Sequence, residues 1–423
     1  MEYKNTADFA RQQDQQDPLR KFRDQFHLPA KLHQDVIYFC GNSLGLQPKN
    51  LRAQVEKELQ KWQDLAVEGH FLGDHPWMDY HKALKQPMTD IFGAKPNELT
   101  VMNSLTVNLH LLMATFYRPT ATRYKIVMEA GAFPSDQYAM ESQAKIHGFA
   151  YDDAVVEVSP RKGEHTLRTE DIVQTIENLG ESVALVMFSG VNYYTGQVFD
   201  MDTITKAGHK VGAYVGFDLA HAAGNVALHL HDWNIDFAVW CTYKYLNSSP
   251  GGISGVFIHE KNATDTSLPR LAGWWGHNED ERFLMKKGFE AMPNVDGWQL
   301  SNAQVLLQAA HLASLQLFAQ AGMPQLTAKS KKLTGYLEFV IREVCQNSHY
   351  PIEIITPTEA RGCQLSLLVP QEGKKLFDYL HTHGVVGDWR EPNSIRIAPV
   401  PLYNSFEDVY RFGQILKNGI QQG

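Results

Sequence analysis

The sequence predicts an α/β domain built on a mostly parallel sheet, followed by a smaller α+β domain. Three observations point there. From about residue 97, helix-like stretches alternate with short apolar runs at Tyr124 to Met128, Val183 to Phe188, Ala213 to Phe217, Phe237 to Cys241 and Gly255 to Ile258. These runs lack strict alternation, as strands buried on both faces do. Past a long apolar helix from Asn302 to Ala321, the pattern becomes a helix near 327–346, a strand Gln364 to Val369, a helix 372–384 and a strand Ser394 to Ala398. The length, 423 residues, also exceeds what one simple core supports.

The elements follow in order. Residues 1–48 read as an arm packing with the small domain; its apolar stretch Val36-Ile37-Tyr38-Phe39 enters the turn-rich Gly41-Asn42-Ser43-Leu44-Gly45. Pro48 opens an amphipathic helix in which Leu51, Val55, Leu59, Trp62 and Ala66 recur at helical spacing. Asn103 to Thr106 precede the helix-like VNLHLLMATFY, and Phe133 to Asp136 precede QYAMESQAKIHG. The last helix begins near Ser405, with Glu407 and Asp408 in its first turn, where the helix dipole favours acids. The expected division is thus 1–48, a large domain 49–305 and a small domain 306–423.

Composition narrows the function. Hydrophobic content of 43% and charged content of 20% suit a soluble globular protein. No segment approaches the ~20 consecutive apolar residues of a membrane helix, and the polar N-terminus lacks a secretory core. A cytoplasmic location is the default expectation. Cys40, Cys241, Cys345 and Cys363 are scattered, which argues against a disulfide framework or a cysteine-based zinc site. A net charge of −8 gives no general attraction to nucleic acid or anionic lipid. A small-molecule enzyme, with neither nucleic-acid nor membrane partners, fits this balance.

The chemistry centres on Asp218-Leu219-Ala220-His221 and Thr242-Tyr243-Lys244-Tyr245, each just past a predicted buried strand. Ligands gather at the carboxyl ends of parallel strands. Removing a lysine from water there favours its neutral amine, which attacks carbonyls. An aspartate ending a neighbouring strand can pair with a protonated pyridine nitrogen. Together these predict pyridoxal 5′-phosphate, held covalently on Lys244. The two residues lie 26 positions apart (244 minus 218), enough for one helical crossover. The blander alternative has Asp218 capping the next helix and Lys244 reaching the surface.

A phosphate site should accompany the amine, yet no glycine-rich nucleotide loop is present. Helix N-termini are the alternative cradle, and Leu105-Thr106 and Ser135-Asp136 stand at predicted helix starts; singly, Thr106 and Ser135 also read as ordinary N-caps. Phe133 is either a ring-stacking or a core aromatic. His221, three residues past Asp218, could sit one turn above it on a helix face. No HxxxH or HxxEH pattern occurs, so no metal is expected. Arg396 lies mid-strand between Ile395 and Ile397, as an edge-strand solvent residue or a bidentate carboxylate clamp.

These segments together resemble the kynureninases, fold-type I (aspartate aminotransferase-like) pyridoxal-phosphate hydrolases. The matching stretches are FCGNSLGLQPK (39–49), NSLTVNLHLLMATFY (103–117), AFPSD (132–136), FSGVNYYTGQ (188–197), GFDLAHAAGN (216–225), CTYKYLN (241–247), AGWWGH (272–277) and IRIAPVPLYNSFEDVY (395–410). The resemblance implies Lys244 as the Schiff-base lysine, Asp218 as the pyridine-nitrogen partner and Tyr243 as a catalytic proton donor. It implies cofactor contacts at Leu105, Thr106, Phe133, Pro134, Ser135, Asp136, Ser189, His221 and Tyr243. Trp274 (with Trp275 adjacent as the alternative) and Asn302 resemble residues closing the site, at least one of them from the other subunit of a homodimer. Ser43, His70, Asn302 and Arg396 resemble the substrate-binding set, with Arg396 on the α-carboxylate. The implied reaction is hydrolysis of kynurenine or 3-hydroxykynurenine to anthranilate or 3-hydroxyanthranilate and alanine, in tryptophan degradation and NAD biosynthesis. The nearest alternative is a cysteine desulfurase using Cys363; a non-enzymatic cofactor-binding protein is the other.

Overall fold

The computed structural model describes residues 2–30, 35–348 and 350–422; residues 31–34 of the expected arm lie outside the described residues. Within the arm, β1 (Ile37–Tyr38) is the short apolar stretch seen in the sequence. The large sheet uses β2 (Leu99–Met102), β3 (Lys125–Glu129), β4 (Val155–Val158), β5 (Val183–Ser189), β6 (Tyr214–Asp218), β7 (Phe237–Cys241) and β8 (Ser254–Ile258). Its order is β2-β8-β7-β6-β5-β3-β4. Pairings from β4 through β7 are parallel, while β8 is antiparallel to both β7 and β2. Only β8 therefore runs against the rest.

Both faces of this sheet are covered. Val127, Val186, Val215 and Trp240 join one core cluster, while Ile126, Met128, Leu185, Met187 and Val239 join another. Successive strand residues point to opposite faces, so the absence of alternation in the sequence follows from two apolar layers. The expected strands are present within about a residue at their ends, a normal uncertainty.

The C-terminal part adds β9 (Glu353–Ile354), β10 (Leu365–Leu368), β11 (Val385–Val386), β12 (Asp388–Arg390) and β13 (Ser394–Ile397). Four of these form an antiparallel sheet in the order β12-β13-β10-β9, and β11 pairs with β1 in parallel. Ala10, Ile37 and Phe39 share a core cluster with Leu365, Ile395 and Val409.

Several elements depart from expectation. Strands β2 and β4 were not anticipated; each is only four residues long, and Glu157 of β4 points to solvent. The arm contains a helix, Ala7–Gln16, with a single buried residue, so little periodicity marked it. A helix at Lys82–Phe92 carries Pro87 in its interior, where proline usually argues against a helix. The helix after Pro48 starts at Leu51. The crossover from β6 to β7 is a run of turns rather than a helix, and Gly224 at φ +73° interrupts any helical path. His221 thus stands on a turn, not one helical turn above Asp218. No helix among the described residues is long and apolar enough to cross a membrane.

Candidate active site

The parallel strands β3, β5, β6 and β7 place Glu129, Ser189, Asp218 and the Thr242-Tyr243-Lys244 segment at one edge of the sheet. A cavity of about 180 Å³ opens there. Ten residues singled out in the sequence line it: Leu105, Thr106, Phe133, Ser135, Asp136, Ser189, Asp218, His221, Tyr243 and Lys244. Asp218 and Lys244 therefore face a common space, against the blander alternative. The cavity also has Val191, Tyr193 and Ala220 in its wall, which sequence reasoning missed. Tyr193 was within reach, because it belongs to the motif stretch 188–197.

Lys244 Nζ lies 3.0 Å from His221 Nε2 and 5.8 Å from the centre of the Phe133 ring. Burial, Lys244, and then Arg396 and Arg390 hold the His221 imidazole well below its usual range, so it is neutral and its Nε2 accepts. Its buried Nδ1 has no hydrogen-bond partner among the described residues. Burial pushes the Tyr243 hydroxyl up, keeping it a proton donor at neutral pH.

Three carboxyls gather beneath. Asp218 accepts from the Ala220 N–H at 2.7 Å, and burial raises its pKa, opposed by that bond and by Lys244. Asp136 is raised well above the carboxylate range by burial and by the charges of Asp218 and Glu129. Glu129, not anticipated from the sequence, accepts from both the backbone N–H and the hydroxyl of Ser189. Burial pushes its pKa up to about 7.

Two helices start against the cavity. Leu105–Phe116 begins after Ser104, and Pro134–Ile146 begins after Phe133; neither preceding side chain caps its helix. Thr106 and Ser135 lie inside the first turns, so the N-cap alternative fails. Uncapped N–H groups at a helix start form an anion site. Pro134 is the first residue of its helix and does not line the cavity.

The other sequence-derived candidates lie apart from this cavity. Ser43 belongs to a loop pressed on the lysine segment: Gly45 N–H donates to the Tyr243 carbonyl at 2.8 Å, and a Cβ at Gly45 would sit 2.3 Å from the Lys244 carbonyl oxygen. His70 packs its ring against Trp77. Trp274 is 43% exposed, whereas Trp275 is 2% exposed and covered by Arg282. Asn302 is exposed and lines a different cavity, with Asn103 and Gln304. Arg396 is on an inner strand and buried, which excludes the edge-strand alternative. Its Nη1 donates to the Tyr193 carbonyl at 2.6 Å.

Away from the cavity, ligand-type atoms of Glu98, His231 and His259 lie within 4.8 Å of one another. Protein partners hold them: Glu98 accepts from the Lys95 and Glu260 N–H groups, and His259 Nδ1 accepts from Lys261 N–H.

The cavity's donor set fits pyridoxal phosphate. It offers an amine for the aldehyde, buried carboxyls for the ring nitrogen, two uncapped helix starts for the phosphate, and a 42% exposed Phe133 face for the ring. Such a site on this strand order defines a pyridoxal-phosphate enzyme of the aminotransferase class-V type, and the aminotransferase class-V family model matches residues 37–353. Solved structures share the fold. A cysteine desulfurase from Thermococcus onnurineus NA1 aligns with TM-score 0.77 at 17% identity, covering 96% of this chain and 98% of that one. A C-DES variant with glycine covalently linked to its PLP cofactor aligns with TM-score 0.74 at 16% identity, covering 93% and 98%. The kynureninase C-terminal domain model matches residues 326–416. A kynureninase from Flavobacterium psychrophilum is 57% identical, covering 99% of both chains, and one from Homo sapiens is 49% identical, covering 95% of this chain and 90% of that one. The chain belongs to the kynureninase family.

Proposed function

We propose that this chain is a pyridoxal-phosphate hydrolase that cleaves L-kynurenine, 3-hydroxy-L-kynurenine or both into anthranilate or 3-hydroxyanthranilate and L-alanine, in tryptophan degradation and NAD biosynthesis. The observation that carries it is Lys244, whose amine enters a cavity shared with His221 and Asp218 at the ends of parallel strands. Bound there, the cofactor supplies an electron sink for charge developing at the substrate's Cα.

The residues divide the work. Lys244 Nζ would hold the cofactor through its aldehyde and, as the base nearest the substrate's Cα, would take the proton from that atom. Asp218 keeps the proton on the ring nitrogen. Phe133 would stack on the ring, while Leu105, Thr106, Ser135, Asp136 and Ser189 would hold its phosphate and polar edge. Arg396 clamps the α-carboxylate. Tyr243, kept protonated by burial, delivers a proton as Cβ–Cγ cleavage leaves the alanine fragment.

We further propose a homodimer with shared sites. Trp62, Phe71 and Leu72 near His70, and Trp274, Phe283 and Met285 farther on, are exposed apolar side chains that a second copy would cover. Trp274 and Asn302 then close the site, at least one of them reaching that of the other subunit, with Ser43, His70 and Asn302 completing the substrate set. The division 1–48, 49–305 and 306–423 accompanies it, supported by the arm residues packed into the C-terminal core. Four free, scattered cysteines suit a reducing cytoplasm.

Purified protein given L-kynurenine should release fluorescent anthranilate and one equivalent of alanine. Given cysteine it should release no sulfide, because Cys363 is fully buried and its thiol is pushed up to about 12. Sulfide without anthranilate would replace the assignment with a desulfurase.

A further inference from the structure

Arg396 is 1% exposed. A guanidinium cannot give up its charge, so burial at this depth requires partners. Strand β12 supplies one: Asp388 stands directly opposite Arg396 in the antiparallel pairing of β12 and β13, where facing side chains are neighbours. Arg396 Nε donates to Asp388 Oδ1 at 2.7 Å, and Nη2 donates to Oδ2 at 2.6 Å. The carboxylate thus occupies the fork edge formed by Nε and Nη2. Nη1 donates to the carbonyl of Tyr193, whose side chain lines the Lys244 cavity. Of the five guanidinium N–H groups, one on each Nη remains.

We propose that Asp388 is a positioning residue for the substrate's α-carboxylate, fixing one edge of the Arg396 fork so that the remaining Nη1 and Nη2 N–H groups receive that carboxylate. The inference rests on Arg396 being the carboxylate-binding residue. The charge balance fits one incoming anion. Arg390 Nη2 also reaches Asp388 Oδ2 at 3.1 Å, and its buried Nε has no hydrogen-bond partner among the described residues. Two guanidiniums and one carboxylate leave a single net positive charge. His221 and Cys40 beside them add none, since His221 is neutral and burial keeps the Cys40 thiol protonated, pushed up to about 12.

Positioning and simple attraction give opposite signs, which makes the role testable. Asp388→Asn raises the local charge by one, so attraction alone would tighten substrate binding. An asparagine, however, offers one acceptor where two were used and turns an N–H toward the other guanidinium N–H, freeing the fork to rotate.

The experiment measures KM and kcat for L-kynurenine, and the inhibition constant of its decarboxylated amine, on cofactor-loaded parent, Asp388→Asn, Asp388→Glu and Arg396→Lys. Cofactor absorbance and thermal melting check folding. Asp388→Asn should raise the kynurenine KM roughly ten- to a hundredfold, the loss typical of a charge-assisted hydrogen bond. It should lower kcat less and leave the amine's inhibition constant unchanged. Asp388→Glu keeps the charge but moves its oxygens outward by a methylene, and should show the same pattern more weakly; it decides the matter if the asparagine variant does not fold. Unchanged or tighter kynurenine binding, or equal weakening of both ligands, overturns the role of Asp388. An unchanged kynurenine KM in Arg396→Lys would instead overturn the carboxylate assignment itself.

Discussion

Lys244 Nζ and His221 Nε2 stand 3.0 Å apart at the wall of one cavity, on turns that follow neighbouring parallel strands. Two cations at that distance in a buried site would repel strongly. Burial and the lysine charge together keep the imidazole neutral. The histidine is therefore an acceptor for the lysine, and it orients the amine toward the Phe133 ring.

Replacing His221 with phenylalanine should leave the cofactor attached but lower kcat by about ten- to a hundredfold, since a hydrogen bond to a charged group is lost. Slowed but measurable turnover with intact cofactor absorbance is the expected signature. Full activity would show that the pairing has no part in catalysis.

Tyr243 differs in that its hydroxyl is kept protonated by burial. Tyr243→Phe should retain cofactor and substrate binding while slowing alanine release by about two to four orders of magnitude, the range of general acid–base catalysis. Rapid-quench analysis separating aroyl release from alanine release checks this. Equal slowing of both would place the proton donor elsewhere.

Glu129 yields a stability test. Its pKa is raised from 4.5 to about 7 on folding, chiefly by burial. Between those values the folded chain binds more protons than the unfolded one, so this group lowers stability as pH rises from about 4.5 to 7. Glu129→Gln removes the penalty. In the apoprotein the variant should gain stability relative to the parent at pH 8 compared with pH 5, by at most about 3 kcal/mol. Melting curves at both pH values check the sign; an equal difference at both would mean that the carboxyl does not titrate in this window.

The sheet was legible because its strands are buried on both faces: unbroken runs such as Phe237 to Cys241 can be read without neighbours. Four-residue strands such as Val155–Val158 carry too little pattern to stand out. The lysine and aspartate were legible as polar residues ending apolar runs. Glu129 has the same signature at the end of β3, but its meaning depends on Ser189, which is 60 positions away. Asp388 was illegible for a related reason. Only the pairing of β12 with β13 reveals that it faces Arg396. The placements of Ser43, His70, Trp274 and Asn302 relative to Lys244 depend on long loops, which local pattern does not encode.

The central claim is a covalent bond between one amine and the cofactor. Resting holoenzyme should be reduced with borohydride, digested and mapped by mass spectrometry. A pyridoxyl phosphate label on the peptide containing Lys244, lost in Lys244→Ala together with turnover, is the expected result. A label on any other lysine, or undiminished turnover in Lys244→Ala, would contradict it.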